Sequence, residues 1–311
     1  MNKFIRVLLI TCAGCLVLGG GLLIAGIAMG GTWDDATVTI GNEEYAVDDM
    51  FDHGLFKSEG STHHSEDSDI PEAAAVTGEL VGDANEIRNL DITLRSCEFQ
   101  ILESNDEQIR VEIEDGKEDD FSLKVKEGTL YVNDTRKSKK NVKAVHVELW
   151  IPEDSMFDHV NMTVGAGDVQ IARLAANDIN IEGGAGKIKA ETLIAHKELD
   201  AEIGAGEFHI EEAVLGETDI ECGVGSFEIA SCTLKGDAEI SGGVGDVNIG
   251  IVGEKQDFNY ELSCGMGELD VFGDSYTSLG KDKEIDNGAK YTISLDCGVG
   301  RVNVYKAGES L

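Results

Sequence analysis

The sequence predicts an all-β protein, a parallel β-solenoid with coils of about 20 residues, preceded by one transmembrane helix. Three observations support this prediction: a glycine motif returns at regular intervals, apolar residues alternate on both sides of it, and a long uncharged stretch lies near the N-terminus. Of the 311 residues, 38 are glycine and only 2 are proline, which is not the composition of a collagen-like or proline-rich disordered chain. The glycines are therefore expected at fixed structural positions.

The N-terminal stretch predicts a membrane anchor. Residues 7–30 carry no charge and are long enough as a helix to cross a bilayer, whereas the apolar part of a cleaved signal peptide has about 7–15 residues. Basic residues precede this stretch and acidic residues follow it, which places residues 1–6 in the cytoplasm and the bulk outside. The expected localisation is the cell membrane, with a single pass. Lipidation of Cys15 stays open as an alternative.

Residues 31–75 predict an acidic linker between this anchor and the folded part. The segment is irregular and rich in carboxylates, which is typical of a solvated tether. His63 and His64 lie beside several carboxylates and could hold a metal weakly. The tether is the simpler interpretation, and no metal site is predicted.

A repeat fills much of residues 76–311, which are expected to form the solenoid outside the membrane. Its motif is glycine, a small residue, glycine, one variable residue and then alternating apolar residues, as in residues 165–171. The leading glycines are separated by 19, 20, 19, 20, 22 and 33 residues. The glycines predicted to form the corners of successive coils are Gly165, Gly167, Gly184, Gly186, Gly204, Gly206, Gly223, Gly225, Gly243, Gly245, Gly265, Gly267, Gly298 and Gly300.

Each motif is expected to join two short strands, because apolar residues also alternate before the glycines. Stacking would bury the inward side chains and pair each strand with its counterpart one coil along. Glycine is expected at the corner for a positive φ or a close backbone approach. Fainter copies of the motif lie at residues 97–101 and 128–132, and residues 273–290 are expected to leave the last coil as a loop.

The position after the second glycine excludes a repeated calcium site. A calcium ligand would not tolerate the lysine and arginine that two repeats place there. A phosphate cradle is also excluded, because these glycines lead into strands rather than into a helix. No cofactor is therefore predicted. The residues at this position are Asp168, Lys187, Glu207, Ser226, Asp246, Glu268 and Arg301.

The sequence does not predict an enzyme, and no catalytic residue is assigned. A glycan-active β-helix enzyme stays open as an alternative, because it would need only a pair of carboxylates on an outward strand. Aromatic residues amount to 6% of the chain, and Phe208, Phe227 and Phe258 fall on inward positions. A cleft lined with aromatic side chains is therefore not expected.

Cysteine usage does not indicate a disulfide scaffold. Five cysteines lie outside the anchor, and an odd number leaves at least one thiol unpaired in a monomer. Cys222, Cys264 and Cys297 each precede a glycine corner and are expected as small core residues. Cys264 and Cys297 are placed to lie in adjacent coils, and the redox state of Cys97, Cys232 and these three stays open.

The net charge of −35 limits the partners. With 60 acidic and 25 basic residues, the chain is not expected to bind nucleic acid, because phosphate contacts need lysine and arginine. Cationic peptides or basic protein surfaces are the partners that electrostatics favours.

A strand that ends in Ile151 and Pro152, followed by residues 160–169 with their first glycine corner, carries a family resemblance. Residues from about 90 to 311 resemble the bacterial β-strand-repeat family called "putative adhesin", a domain of unknown function. The resemblance implies a membrane-bound surface protein and transfers no catalytic or ligand residue. We therefore expect a non-enzymatic cell-envelope protein that binds a wall polymer, a host surface or an envelope protein. The alternative is an envelope-stress accessory or sensor that binds cationic peptides or an envelope protein.

Overall fold

The computed structural model describes residues 37–40, 43–46, 79–114, 120–136, 145–277 and 283–308. Among these residues no helix has the length and apolar character needed to cross a bilayer. The predicted anchor at residues 7–30 lies outside the described residues. The chain divides into two compact units, Met1–Pro71 and Glu72–Leu311.

The first unit contains an antiparallel hairpin of β1 (Thr37–Ile40) and β2 (Glu43–Ala46). The sequence predicted that residues 31–75 are irregular throughout, and these two strands show that part of the segment is not. The residues of β1 explain the difference, because threonine alternates with Val38 and Ile40 and all four residues are β-branched, which favours a strand.

The second unit is all-β, as predicted, and its described strands form one twelve-stranded sheet. A three-residue 3₁₀ helix at Lys255–Asp257 interrupts them. The strands are β3 (Glu79–Asp83), β4 (Asn89–Ser104), β5 (Gln108–Glu114), β6 (Phe121–Lys126), β7 (Thr129–Asp134), β8 (Val145–Pro152), β9 (Phe157–Leu234), β10 (Ala238–Ile251), β11 (Phe258–Val271), β12 (Asp274–Thr277), β13 (Lys283–Ile285) and β14 (Tyr291–Lys306).

Alternation of apolar and polar residues builds the core. In β9, which runs for 78 residues through several repeats, every second side chain of most segments is buried. Equivalent residues of successive repeats lie next to one another, as with Phe208 and Phe227, whose ring centroids are 5.1 Å apart in an edge-to-face arrangement. Each repeat covers the apolar face of its neighbour, and each such face is too small to be stable alone.

The glycine corners also stack. The second glycine of a motif has a strongly positive φ, for example 133° at Gly186 and 139° at Gly206, a region that only glycine adopts readily. A Cβ atom on Gly206 would lie 1.9 Å from the carbonyl oxygen of Gly186, and one on Gly186 would lie 2.0 Å from that of Gly167. The corner therefore requires glycine for two separate reasons, its backbone angle and the closeness of the next coil.

The coils do not stack in the order of the chain at the C-terminal end. β14 pairs in parallel with β10 on one side and with β11 on the other, so that Leu295 lies between Ile240 and Leu262. The sequence predicted that residues 258–271 follow residues 238–251 directly, and this is wrong. The last coil of the chain is inserted between the two coils that precede it.

The N-terminal end has the same arrangement, in which the first coil of the chain lies between two later ones. β4, the first coil, pairs in parallel with the start of β9 on one side and with β7 and β8 on the other. Ile101 therefore lies between Ile171 and Leu149. At both ends, the coil nearest the chain terminus is enclosed by two others.

Antiparallel strands cover both ends of the stack. β5 pairs with β8 and β6 with β7 at one end, while β12 and β13 pair with β11 at the other. The expectation that residues 273–290 leave the last coil as a loop is therefore wrong. Their described strands cover β11, which is the outermost coil, because a parallel ladder left open would expose unpaired backbone groups.

Candidate functional site

The strand segments before and after the glycine corner present two outward faces with different charge patterns. We call the first the acidic face, defined by Asp200, Glu202, Asp219, Glu221 and Glu239. These five side chains are exposed, and each alternates with buried core residues. The register places Asp219 directly beside Glu239 in the neighbouring coil.

Carboxylates on the acidic face repel one another. Within the part of the chain that the structure describes, none of the five forms an ion pair. Partial burial, followed by the charges of Asp219, Glu202, Asp200 and Glu239, raises the pKa of Glu221 above its usual range. Partial burial and the neighbouring carboxylates likewise raise the pKa of Asp219. This surface therefore favours a cation, which would relieve the repulsion.

The second surface, which we call the ion-paired face, follows the glycine corner. Its basic side chains lie one coil away from acidic ones: Lys187 Nζ is 2.6 Å from Glu207 Oε2. His209 Nδ1 lies 3.2 Å from Glu228 Oε2 in the next coil, and its Nε2 lies 3.1 Å from Glu211 Oε1 in its own strand segment. Opposite charges in neighbouring strands are mutually stabilising.

The predicted outward carboxylates fall on the ion-paired face and do not converge. Asp168, Glu207, Asp246 and Glu268 occupy the same position in different coils, and two of them are paired, Glu207 with Lys187 and Glu268 with Arg301. A glycosidase needs two carboxyl groups about 5–10 Å apart on either side of a substrate cleft. A small recess at the corner is lined by Gly183, Ile188 and Ile203 together with the Lys187–Glu207 pair. Glu207 contributes the one carboxylate of its lining, so the recess lacks the second carboxyl group that a glycosidase needs.

Metal binding finds no support in the described ranges. Within them, no three His, Cys, Asp or Glu side chains form a group that could hold an ion. His63 and His64 lie outside the described residues.

Three cysteines whose side chains the structure describes are buried and unreactive. Cys97, Cys222 and Cys232 carry free thiols in the core. Burial raises the pKa of Cys232 to about 12, and burial, opposed by Arg136, raises the pKa of Cys97 to about 12. Thiolates are the nucleophilic form, so these groups are inert at neutral pH. The backbones of Cys264 and Cys297 are direct register partners in neighbouring coils.

A buried ion pair lies where β7 ends. The Asp134 side chain is fully buried and accepts hydrogen bonds from Arg136 Nε and from the backbone nitrogen of Arg95. Burial opposes its ionisation, but the hydrogen bonds and charge of Arg136 outweigh this effect and lower the pKa of Asp134. Arg136 Nη2 also donates to the Ser96 carbonyl at 2.8 Å. The pair therefore ties β7 to the corner of β4.

Apolar side chains form a short ridge at the glycine corner. Val224, Val244, Val299 and Met266 occupy the position between the two glycines in four neighbouring coils; Val224 is half-buried and the other three are exposed. Met266 is 76% exposed. This ridge lies between the acidic face and the ion-paired face.

The sequence analysis predicts an acidic chain and does not predict the contrast between the two faces. The signal is present in the alternation: residues two and four positions before each leading glycine are acidic in repeats 199–204 and 218–223. Finding it required the register of the coils, because only stacking brings these residues together.

The stacked parallel coils and glycine corners define a β-strand-repeat protein. The family described as Toastrack DUF4097 matches residues 87–304, and the chain belongs to this family. The match confirms the family resemblance that was based on residues 151–169.

Several solved structures are similar to this chain. A "putative cell adhesion protein" from Clostridium sporogenes is 14% identical, with a TM-score of 0.33 over 73% of this chain and 98% of that one. A "putative adhesin" from Bacteroides fragilis is 13% identical, with a TM-score of 0.36 over 73% and 95%. A "putative lipid binding protein" from Parabacteroides distasonis is 16% identical, with a TM-score of 0.36 over 73% and 96%. No curated protein matches the chain.

Proposed function

We propose that this chain is a non-enzymatic cell-envelope protein whose acidic face binds a cationic partner outside the membrane. In this proposal residues 7–30 anchor the chain with its N-terminus inside, and the stacked coils form a β-solenoid that displays the face. The partner carries several positive charges, as a basic protein surface or a polymer with ammonium groups does.

The observation that carries the proposal is the unpaired state of the acidic face. Partial burial, and after it the charges of the surrounding carboxylates, raise the pKa values of Asp219 and Glu221, so their ionised forms destabilise the fold at neutral pH. The ion-paired face has the same backbone and avoids this cost by alternating its charges. A costly surface feature with no structural benefit is typical of a binding surface.

Binding should be tested with the second compact unit, residues 72–311, against an oligolysine peptide and against purified wall polymer. Affinity for the cationic probe is expected to fall by at least about tenfold between low and high salt, because exposed charges are screened. Wall polymer that bound with salt-resistant affinity would contradict an electrostatic face.

Matched variants separate the face from net charge. One variant neutralises the acidic face, and its control removes the same number of charges elsewhere on the unit. The first should lose about tenfold in affinity for the peptide, while the control should stay within about twofold. Equal losses would show that net charge alone attracts the peptide. The substitutions are Asp200→Asn, Glu202→Gln, Asp219→Asn, Glu221→Gln and Glu239→Gln for the face, and Glu98→Gln, Asp168→Asn, Asp246→Asn, Glu191→Gln and Glu212→Gln for the control.

The proposed anchor has a separate test. Fractionation of cells that express the full chain should place it in the membrane, and protease added outside should digest residues 76–311 while leaving an N-terminal tag intact. Recovery of the chain in the soluble fraction would contradict the anchor without bearing on the acidic face.

A further inference from the structure

The two ends of the stack share one unusual arrangement. At the C-terminal end the chain runs from β10 past one coil to β11, continues through β12 and β13, and returns to place β14 in the gap. At the N-terminal end β4 is enclosed in the same way by β8 and β9. Neither terminal coil of the chain is an outermost coil of the stack.

Residues 252–257, which join β10 to β11, form a crossing segment that passes over β14, and side chains hold it in place. Asn287 Nδ2 donates to the carbonyls of Lys255, at 3.2 Å, and Phe258, at 2.6 Å. Asn259 Oδ1 accepts from the backbone nitrogen of Asn287 at 2.9 Å. Lys306, the last residue of β14, forms an ion pair with Glu254 in the crossing segment. These contacts connect β11, the crossing segment and the chain end.

The crossing segment at the other end is held similarly. Arg173 Nη1 donates to the carbonyls of Glu153, at 2.9 Å, and Ser155, at 3.3 Å. The backbone nitrogen of Asp158 donates to the carbonyl of Arg88 at 2.7 Å. The segment between β8 and β9 is thus fixed where it passes β4.

Two physical consequences follow from this order. A chain-end coil such as β14 can leave only by breaking its hydrogen-bond ladders to both neighbours at once. An outermost coil such as β11 can open only as a loop whose ends remain bound in β10 and β14, so it gains less entropy than a free chain end would. Both routes of gradual fraying are therefore disfavoured.

We propose that each end is a conformational lock that opens as one cooperative block, formed by the described strands β3 to β8 at one end and by residues 252–257 with β11 to β14 at the other. Ordinary repeat stacks unfold progressively because each repeat contacts only its neighbours. This chain is instead closed against coil-by-coil unravelling from either terminus. The lock concerns how the fold resists opening, and it does not depend on the function proposed above.

Single-molecule pulling on the full chain, held in detergent with one handle at each terminus, tests the lock. Opening of the C-terminal block should extend the chain by roughly 20 nm in one step, whereas loss of one coil would give roughly 7 nm. A series of steps of roughly 7 nm from either end would overturn the proposal.

A double variant, Asn287→Ala with Lys306→Ala, addresses the C-terminal lock alone. It should lower the force of the step of roughly 20 nm while leaving the N-terminal step unchanged, and Lys187→Ala should alter neither step. An unchanged force in the double variant would overturn the role given to these contacts.

Hydrogen exchange of the unaltered chain provides a check that needs no substitution. At low denaturant, amides of β11 and β14 should exchange with one common opening free energy. Exchange of β11 well before β14 would mean that the outermost coil frays alone, and this too would overturn the proposal.

Discussion

The acidic face and the ion-paired face are carried by the same coils, a few residues apart, yet they treat charge in opposite ways. On the ion-paired face, Lys187 lies beside Glu207 and His209 beside Glu228. On the acidic face, Asp219 lies beside Glu239, and like charges in neighbouring strands destabilise a sheet. Folding does not require this pattern, since the other face shows that paired charges fit the same backbone. The difference indicates selection for something other than stability.

The largest effect is expected from breaking the corner that separates the two faces. Gly206→Ala would place a Cβ atom 1.9 Å from a carbonyl oxygen, at a φ of 139°. We expect a loss of more than about 4 kcal/mol of unfolding free energy, or no folded protein. Denaturant unfolding followed by circular dichroism measures this loss. Ala205→Gly is the control between the two corner glycines, and comparable destabilisation by it would contradict the steric explanation.

The next largest effect concerns the ion pair at the end of β7, where both charges are paired and buried. Asp134→Asn removes the buried carboxylate to which Arg136 donates and should cost about 3 kcal/mol of unfolding free energy at neutral pH. Because folding lowers the pKa of Asp134, its contribution is present above the ordinary carboxyl pKa and is lost as the pH falls through the lower, folded-state value. Urea unfolding of both proteins at several pH values should therefore show a difference that shrinks in acid. A constant difference would contradict this linkage.

A smaller effect of opposite sign is expected from the acidic face. Glu221→Gln should stabilise the fold by about 0.5 kcal/mol at low salt, because it removes a partly buried charge that neighbouring carboxylates repel and that solvent screens in part. Folding raises the pKa of this carboxyl, so the penalty is present at neutral pH and is relieved as the pH falls below the raised value. Thermal unfolding at low and high salt measures the gain, which should shrink with screening. Destabilisation at low salt would undermine the comparison between the two faces.

The smallest effect is expected from a single pair on the ion-paired face. Lys187 and Glu207 are exposed, so solvent screens their interaction despite the 2.6 Å separation. Lys187→Met should leave the melting temperature within experimental error. A clear loss of stability would mean that the ion pairs of this face act as a network, and that its contrast with the acidic face is larger than proposed.

The repeat could be predicted from sequence because its causes are local. Alternation around residues 165–171 fixes which side chains point inward, and the corner needs glycine wherever it bends. Successive intervals of 19 and 20 residues then require that neighbouring repeats stack in parallel.

The order of the coils could not be predicted, because any coil fits beside any other. β14 uses the same register toward β10 as toward β11, with Gly300 beside both Gly245 and Gly267. Backbone ladders and corner glycines therefore carry no information about which coils are neighbours. Specific contacts, such as those of Asn259 and Asn287, set the order, and they join residues far apart in sequence. The intervals of 22 and 33 residues were the only sequence signal, since a chain that passes over a coil needs extra length.

The glycine column restricts how this protein can change in evolution. From Gly167 to Gly245, each second glycine of the corner lies against the backbone of the coil before it, so insertions and deletions are expected between the corners and not within them. Duplication or loss of one whole coil preserves the column and lengthens or shortens the stack by about 4.8 Å. Homologues should therefore keep the glycine column while they differ in the number of coils and in the length of the segments between corners.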